Sequence, residues 1–148
     1  MRRWFWGLLL AMLCTAPVRA DEAEQIGRVR TLEGIASIQR GGAWVRVEGV
    51  GEAIRRGDVI RTGKPGAIGL VLADETTISL GPGSELAMVD FAFSPREGRF
   101  ALVMKMARGT FSYLAGLIAK LAPGTIQLQL PDATIAVRGT KLLIQIEE

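Results

Sequence analysis

Leu130-Pro131-Asp132-Ala133-Thr134-Ile135-Ala136-Val137-Arg138-Gly139-Thr140 alternates apolar and polar residues and ends in an Arg-Gly-Thr turn. A similar phrase stands earlier, in Leu72-Ala73-Asp74-Glu75-Thr76-Thr77-Ile78-Ser79-Leu80-Gly81-Pro82-Gly83-Ser84. A strand-turn phrase used twice in one chain predicts an all-β fold of coils or stacked hairpins.

The rest of the chain has the same rhythm. Arg28–Leu32 and Ile35–Gln39 are short β runs separated by Glu33-Gly34. Arg40-Gly41-Gly42 reverses the chain into Trp44–Val47, which predicts a hairpin. Residues 49–54 read as a loop and Arg55–Asp58 as a turn. Val59–Thr62 and Ala67–Leu72 read as two strands parted by a Gly63-Lys64-Pro65-Gly66 turn. Asp74-Glu75 is a tight reversal into Thr76–Leu80, and Glu85–Phe91 is a further strand. Phe100–Met106 and Thr110–Tyr113 read as strands on either side of an Arg108-Gly109 turn. Leu114, Leu117, Ile118 and Leu121 have helical spacing, which predicts one short helix ended by Pro123-Gly124. Ile126–Leu130, Thr134–Val137 and Lys141–Ile146 complete the pattern. The expectation is a solenoid-like or sandwich-like stack of roughly ten to twelve short strands with at most one short helix. The repeated phrase favours solenoid-like coils.

Residues 1–20 stand apart. Arg2 and Arg3 precede an apolar run from Trp4 to Cys14, and Val18-Arg19-Ala20 is a small-x-small pattern before Asp21. This is the pattern of a secretory signal peptide cleaved after Ala20. The apolar run is shorter than the ~20 residues of a spanning helix. Leu13 before Cys14 does not suit lipidation. Removing Arg2, Arg3 and Arg19 from the 18 basic residues leaves 15, equal to the 15 acidic residues. The expected mature chain is therefore near neutral and lacks the basic stripe that nucleic-acid binding requires. Its expected organisation is a signal peptide at 1–20, a flexible lead-in at 21–26 and one β domain at 27–148. It is expected to be periplasmic or secreted, and not an integral membrane protein after cleavage.

The chain has no histidine, and its one cysteine, Cys14, lies in the signal segment. The commonest general base, the commonest metal ligand and the thiol nucleophile are thus missing. Serines 37, 79, 84, 94 and 112 all lack a lysine three residues on. Gly81-Pro82-Gly83-Ser84 lacks the ending of a phosphate loop. No enzyme, cofactor or metal is expected. A carboxylate pair drawn from Asp58, Asp74, Glu75 and Asp132 is the remaining catalytic option, but each sits at a turn or strand end, where acids commonly form turns. Arg56-Gly57-Asp58 spells an adhesion tripeptide but reads as the start of a strand. Three residues are candidate contacts for a ligand or partner. Trp44 and Tyr113 are the aromatics suited to a sugar-stacking platform, with core packing as the alternative. Arg138, at an apolar strand end, either locks the last coil through a carboxylate or carbonyl, or meets a ligand.

The order and spacing of several segments resemble the FecR-type domain of bacterial cell-envelope proteins. They are Gly34-Ile35-Ala36, Gly57-Asp58-Val59-Ile60-Arg61-Thr62-Gly63, Leu70-Val71-Leu72-Ala73-Asp74 and Ile78-Ser79-Leu80-Gly81-Pro82-Gly83-Ser84, followed by Arg108-Gly109-Thr110-Phe111, Gly116-Leu117-Ile118-Ala119-Lys120-Leu121 and Pro131 to Thr140. The resemblance runs from about Gly27 to Ile146 and implies an all-β, non-catalytic, extracytoplasmic domain. In the founding members this domain receives a signal from an outer-membrane siderophore transporter, and a cytoplasmic part then controls a sigma factor. This sequence shows no cytoplasmic segment, internal span or further C-terminal domain, so a free-standing domain is expected. Asp74-Glu75 stands where the family usually has Asp-Gly, which implies a wider turn or an extra residue. The resulting expectation is an exported interaction or sensory module that binds an envelope protein through an edge strand or exposed face. A carbohydrate- or peptidoglycan-binding module is the alternative.

Overall fold

The computed structural model describes residues 24–147. The expected signal peptide and its cleavage site lie outside them. Ten strands run in chain order: β1 (Gln25–Arg40), β2 (Ala43–Arg46), β3 (Ala53–Arg55), β4 (Val59–Leu72), β5 (Thr77–Leu80), β6 (Glu85–Ser94), β7 (Arg99–Leu114), β8 (Ile126–Gln129), β9 (Thr134–Ala136) and β10 (Lys141–Ile146). One short helix, α1 (Leu117–Leu121), and two single 3-10 turns accompany them. The fold is all-β, as the alternation predicts.

Three expected breaks between strands are creases inside long strands. Glu33-Gly34 lies within β1, Gly63–Gly66 within β4 and Arg108-Gly109 within β7. At the first two, β1 and β4 bend together and their register slips between Gly34 and Ala36. A Cβ on Gly34 would fall 2.6 Å from the Pro65 carbonyl oxygen, so the two backbones meet there without side chains between them. Such bulged bends let a strand change neighbours without ending.

This bending closes the sheet. The first half of β4 pairs with β6 and the second half with β5. Strand β7 does the same, pairing first with β6 and then with β5. Thus β4, β5, β7 and β6 form a small ring, with β1, β2 and β3 added beyond β4, and β8, β9 and β10 beyond β7. Every pairing is antiparallel except β7 with β8. Of the coils and stacked hairpins that the repeated phrase allows, the structure therefore has hairpins. Each copy of the phrase is one of them: Leu72–Leu80 joins β4 to β5, and the stretch from Leu130 joins β8 to β9.

The core is built from cross-strand rows. Ile38, Ile60, Leu86 and Met106 face one another across β1, β4, β6 and β7, and all are buried. Leu70, Ile78 and Tyr113 make a second buried row, which Leu142 of β10 extends. The lead-in expected at 21–26 is already structured at its end, since β1 begins at Gln25 and Ile26 is buried. The loop expected at 49–54 ends in β3, which pairs with the start of β1. The expected helix at 114–121 starts late, because Leu114 belongs to β7. Only Ile118 of α1 is buried, while Leu114 and Leu121 are exposed.

Glu75 is the one non-glycine residue with positive φ among the described residues, at 71°. The reversal is closed by the Leu72 N–H on the Thr76 carbonyl at 2.9 Å and the Glu75 N–H on the Leu72 carbonyl at 3.0 Å. Glu75 is exposed and holds a left-handed backbone that costs an L-residue on the order of 1 kcal/mol. Glu75→Gly is therefore expected to raise stability by about 0.5–1 kcal/mol, read as a higher denaturant midpoint at unchanged slope. A lower midpoint would show that the Glu75 side chain supports the turn.

Candidate functional site

Two of the four carboxylates are buried and held by other groups, and two are exposed. Asp58 is buried and receives two bonds from the Arg40 guanidinium, Nε to Oδ1 at 3.1 Å and Nη2 to Oδ2 at 2.7 Å. Its Oδ2 also accepts the Arg55 N–H at 2.8 Å. This fork ties the end of β1 to the turn before β4. The Asp58 hydrogen bond holds the Arg40 guanidinium above its ordinary pKa, against the opposing effect of burial. Asp74 is wholly buried and accepts the Thr76 N–H at 3.1 Å, the Thr76 hydroxyl at 2.7 Å and the Ile118 N–H at 3.1 Å. Glu75 and Asp132 are exposed. Among the described residues no three acidic, histidine or cysteine side chains converge in a metal-holding group.

The three candidate contact residues lie apart. Tyr113 is wholly buried, so it offers no stacking face to a sugar. Its hydroxyl has no hydrogen-bond partner among the described residues. Burial first, and the Asp74 charge second, push its pKa up to about 12. The folded state therefore keeps this proton where the unfolded chain releases it. The contribution to stability is whole below about pH 10 and falls by roughly 2–3 kcal/mol as pH rises toward 12. Tyr113 is the only tyrosine of the chain, so tyrosinate absorbance reports it directly. Ionisation is expected near pH 12 in the folded protein, and ordinary ionisation near pH 10 before unfolding would contradict the burial. Tyr113→Phe is expected to keep or slightly raise stability at neutral pH, because no bonded hydroxyl is lost.

Arg138 is exposed and has no ion-pair or hydrogen-bond partner among the described residues, so the carboxylate lock expected there is not formed. The last turn is held by backbone instead: the Ala115 N–H donates to the Thr140 carbonyl at 2.8 Å, and Gly139 takes φ 122°.

Trp44 is the accessible candidate, 39 % exposed on β2. The Arg61 guanidinium lies over its ring, 4.0 Å from the centroid. Arg61 donates through Nε and Nη2 to Glu85 Oε2, both at 3.0 Å, and Arg108 adds a second cation 3.5 Å from the same oxygen. One face of the indole is thus covered by a cation fixed from behind. All four residues of β2 are exposed, and among the described residues β2 pairs only with β1. The Val47 N–H donates to the Ala36 carbonyl at 2.9 Å, which turns the odd-numbered backbone groups of β2 toward β1. The N–H and C=O groups of Trp44 and Arg46 therefore face the open edge. Alternation alone does not show a free edge, because paired and unpaired strands alternate alike.

Residues outside the candidate set bind the ring together. The Ser84 hydroxyl donates to the Gly81 carbonyl at 2.8 Å and accepts the Thr110 N–H at 2.9 Å. Thr62 Oγ1 donates to the Gly81 carbonyl at 2.7 Å and accepts the Ser84 N–H at 2.8 Å. Gly81-Pro82-Gly83-Ser84 is thus a clasp on the creases of β4 and β7. Among the described residues no helix is long and apolar enough to cross a membrane.

A family model described as FecR protein matches residues 58–148, more than half of the chain. The match starts at the turn before β4, yet β1 pairs with β4 along nearly its whole length and supplies buried residues, so the sheet extends beyond the matched segment. No curated protein and no solved structure matches the chain.

Proposed function

The chain belongs to the FecR family, and from this we propose that it is an exported, non-catalytic module of the cell envelope that captures an extended segment of a protein partner on the open edge of β2. Membership supports an envelope signalling or regulatory role. The signal-like segment at 1–20 supports export. The observation that carries the reading is β2 itself, four exposed residues of which Trp44 and Arg46 turn free N–H and C=O groups outward. Main-chain bonds to an added strand supply affinity, and side chains beside the edge supply selectivity. Of the four candidate acids, Asp58 is taken up by Arg40 and Asp74 by its own turn.

The test is photo-crosslinking in cells with a probe at Val45 and a control probe at exposed Glu97, far along the chain in the β6–β7 turn. A discrete envelope-protein adduct from position 45 alone is expected. Arg46→Pro removes an edge N–H without touching the β1–β2 ladder and is expected to abolish the adduct while leaving the melting temperature nearly unchanged. Identical adducts from both probes, or none, would sink the reading. Trp44 is the only tryptophan after residue 6, so its fluorescence also tests glycan binding. With Tyr113 buried, a flat response to cell-wall fragments is expected.

A further inference from the structure

A second long open edge belongs to β10, which lies off the main strand path. Among the described residues it pairs only with β7, and its second side meets no strand. The Thr140 carbonyl accepts the Ala115 N–H, so even-numbered backbone groups of this strand turn toward β7. Those of Lys141, Leu143 and Gln145 turn outward, and Glu147 follows directly after the strand. Side chains divide the same way: Leu142, Ile144 and Ile146 are half-buried against the core, while Lys141, Leu143, Gln145 and Glu147 are exposed. Leu143 is 68 % exposed, between Lys141 and Gln145 on the outer face of the strand.

We propose that β10 pairs with β10 of a second copy of this chain, antiparallel and about a two-fold axis through Ile144. Three features of the strand select this occupant and register. First, a two-fold axis brings the same edge of both copies together antiparallel, and only outward-facing residues exchange hydrogen bonds across it. Lys141 must therefore lie opposite an odd-numbered residue. Second, an axis at Ile144 sets Lys141 opposite Glu147 of the second copy, twice over by symmetry. Moving the axis to Leu143 sets Lys141 against Gln145, and moving it to Gln145 sets Leu143 against Glu147. Neither Lys141 nor Glu147 has an ion-pair partner within its own chain among the described residues. Third, the same register sets Leu142 beside Ile146 and Ile144 beside Ile144, which extends the half-buried apolar row from one copy into the other. It also brings the two exposed Leu143 side chains into diagonal reach.

The partner capture proposed at β2 uses a different edge, beyond β4 rather than beyond β7, so the two readings fail separately. The test is sedimentation equilibrium of the purified protein with charge reversals. Wild type is expected to be dimeric at micromolar concentration. Lys141→Glu and Glu147→Lys each place like charges opposite one another at two points and are expected to weaken association about tenfold or more. An equimolar mixture of the two variants restores both opposite-charge pairs, and association near the wild-type level is expected. The double variant Lys141→Glu/Glu147→Lys is expected to dimerise as well. Unchanged circular dichroism in each variant shows that the fold is retained. A wild type that stays monomeric to about millimolar concentration, a dimer indifferent to either reversal, or single variants that fail to associate when mixed would each overturn the proposal. A monomer that still yields the Val45 adduct would overturn it and leave the partner reading standing.

Discussion

Gly109→Ala is expected to cost roughly 3–5 kcal/mol, a large share of the 5–15 kcal/mol that holds an ordinary domain together. Two effects combine. Gly109 has φ 93°, a backbone that an L-residue resists. An added Cβ would also stand 2.5 Å from Ser84 Cα and closer still to the Ser84 hydroxyl. Ser84 cannot yield, because it is wholly buried and its hydroxyl is bonded to both Gly81 and Thr110. The crease lets β7 leave β6 and join β5, so strain there acts on the closure of the ring. Urea unfolding of the variant measures the loss, and a change under about 1 kcal/mol would show that β7 bends for another reason. Gly139 gives the contrast. It has positive φ as well, but open space surrounds the position of a Cβ. Gly139→Val is therefore expected to lose only about 1–2 kcal/mol, with an unchanged melting temperature counting against the turn.

Asp74→Ala is expected to be comparably severe, at about 3–5 kcal/mol. The carboxylate satisfies the N–H and hydroxyl of Thr76 and the N–H of Ile118. Asp74 and Thr76 are wholly buried, and Ile118 is the buried residue of α1. Truncation leaves donors without acceptors in a place water does not reach, at about 1–3 kcal/mol each. It also frees α1 from the β4–β5 hairpin, a link spanning 44 residues of sequence. Loss of α1 before the sheet in hydrogen exchange, together with a lower midpoint, is the expected signature. Asp132→Ala is the control: the equivalent residue of the second phrase is exposed and should change stability by less than about 0.5 kcal/mol.

The contrast between Asp74 and Asp132 marks where the sequence is legible. Both stand in the same local phrase, and both form the hairpin turn that the phrase predicts. Local propensity acts within a few residues, so the all-β class, the Arg40–Trp44 hairpin and the Asp74-Glu75 reversal could be read directly. Which aspartate is buried depends on what packs over the turn, and α1 reaches Asp74 from far along the chain. Tyr113 follows the same logic: the stacking ring and the core ring are one residue type at one strand position, and only the Leu70, Ile78 and Leu142 neighbours decide between them.

Alternation, glycine placement and the order of the phrases determined the class of the fold, most of its strands, its hairpins and its resemblance to the FecR-type domain. A glycine between two β runs has one meaning to the sequence and two to the structure. It ends a strand when the chain folds back, and it creases the strand when neighbours on both sides hold the chain on course. Hydrogen bonds between distant segments make that choice, as at Gly34, Gly66 and Gly109. The tertiary structure alone decided the closure of the ring, the burial of Asp58, Asp74 and Tyr113, and the exposure of the β2 and β10 edges, because each depends on partners that the chain meets only after it has folded.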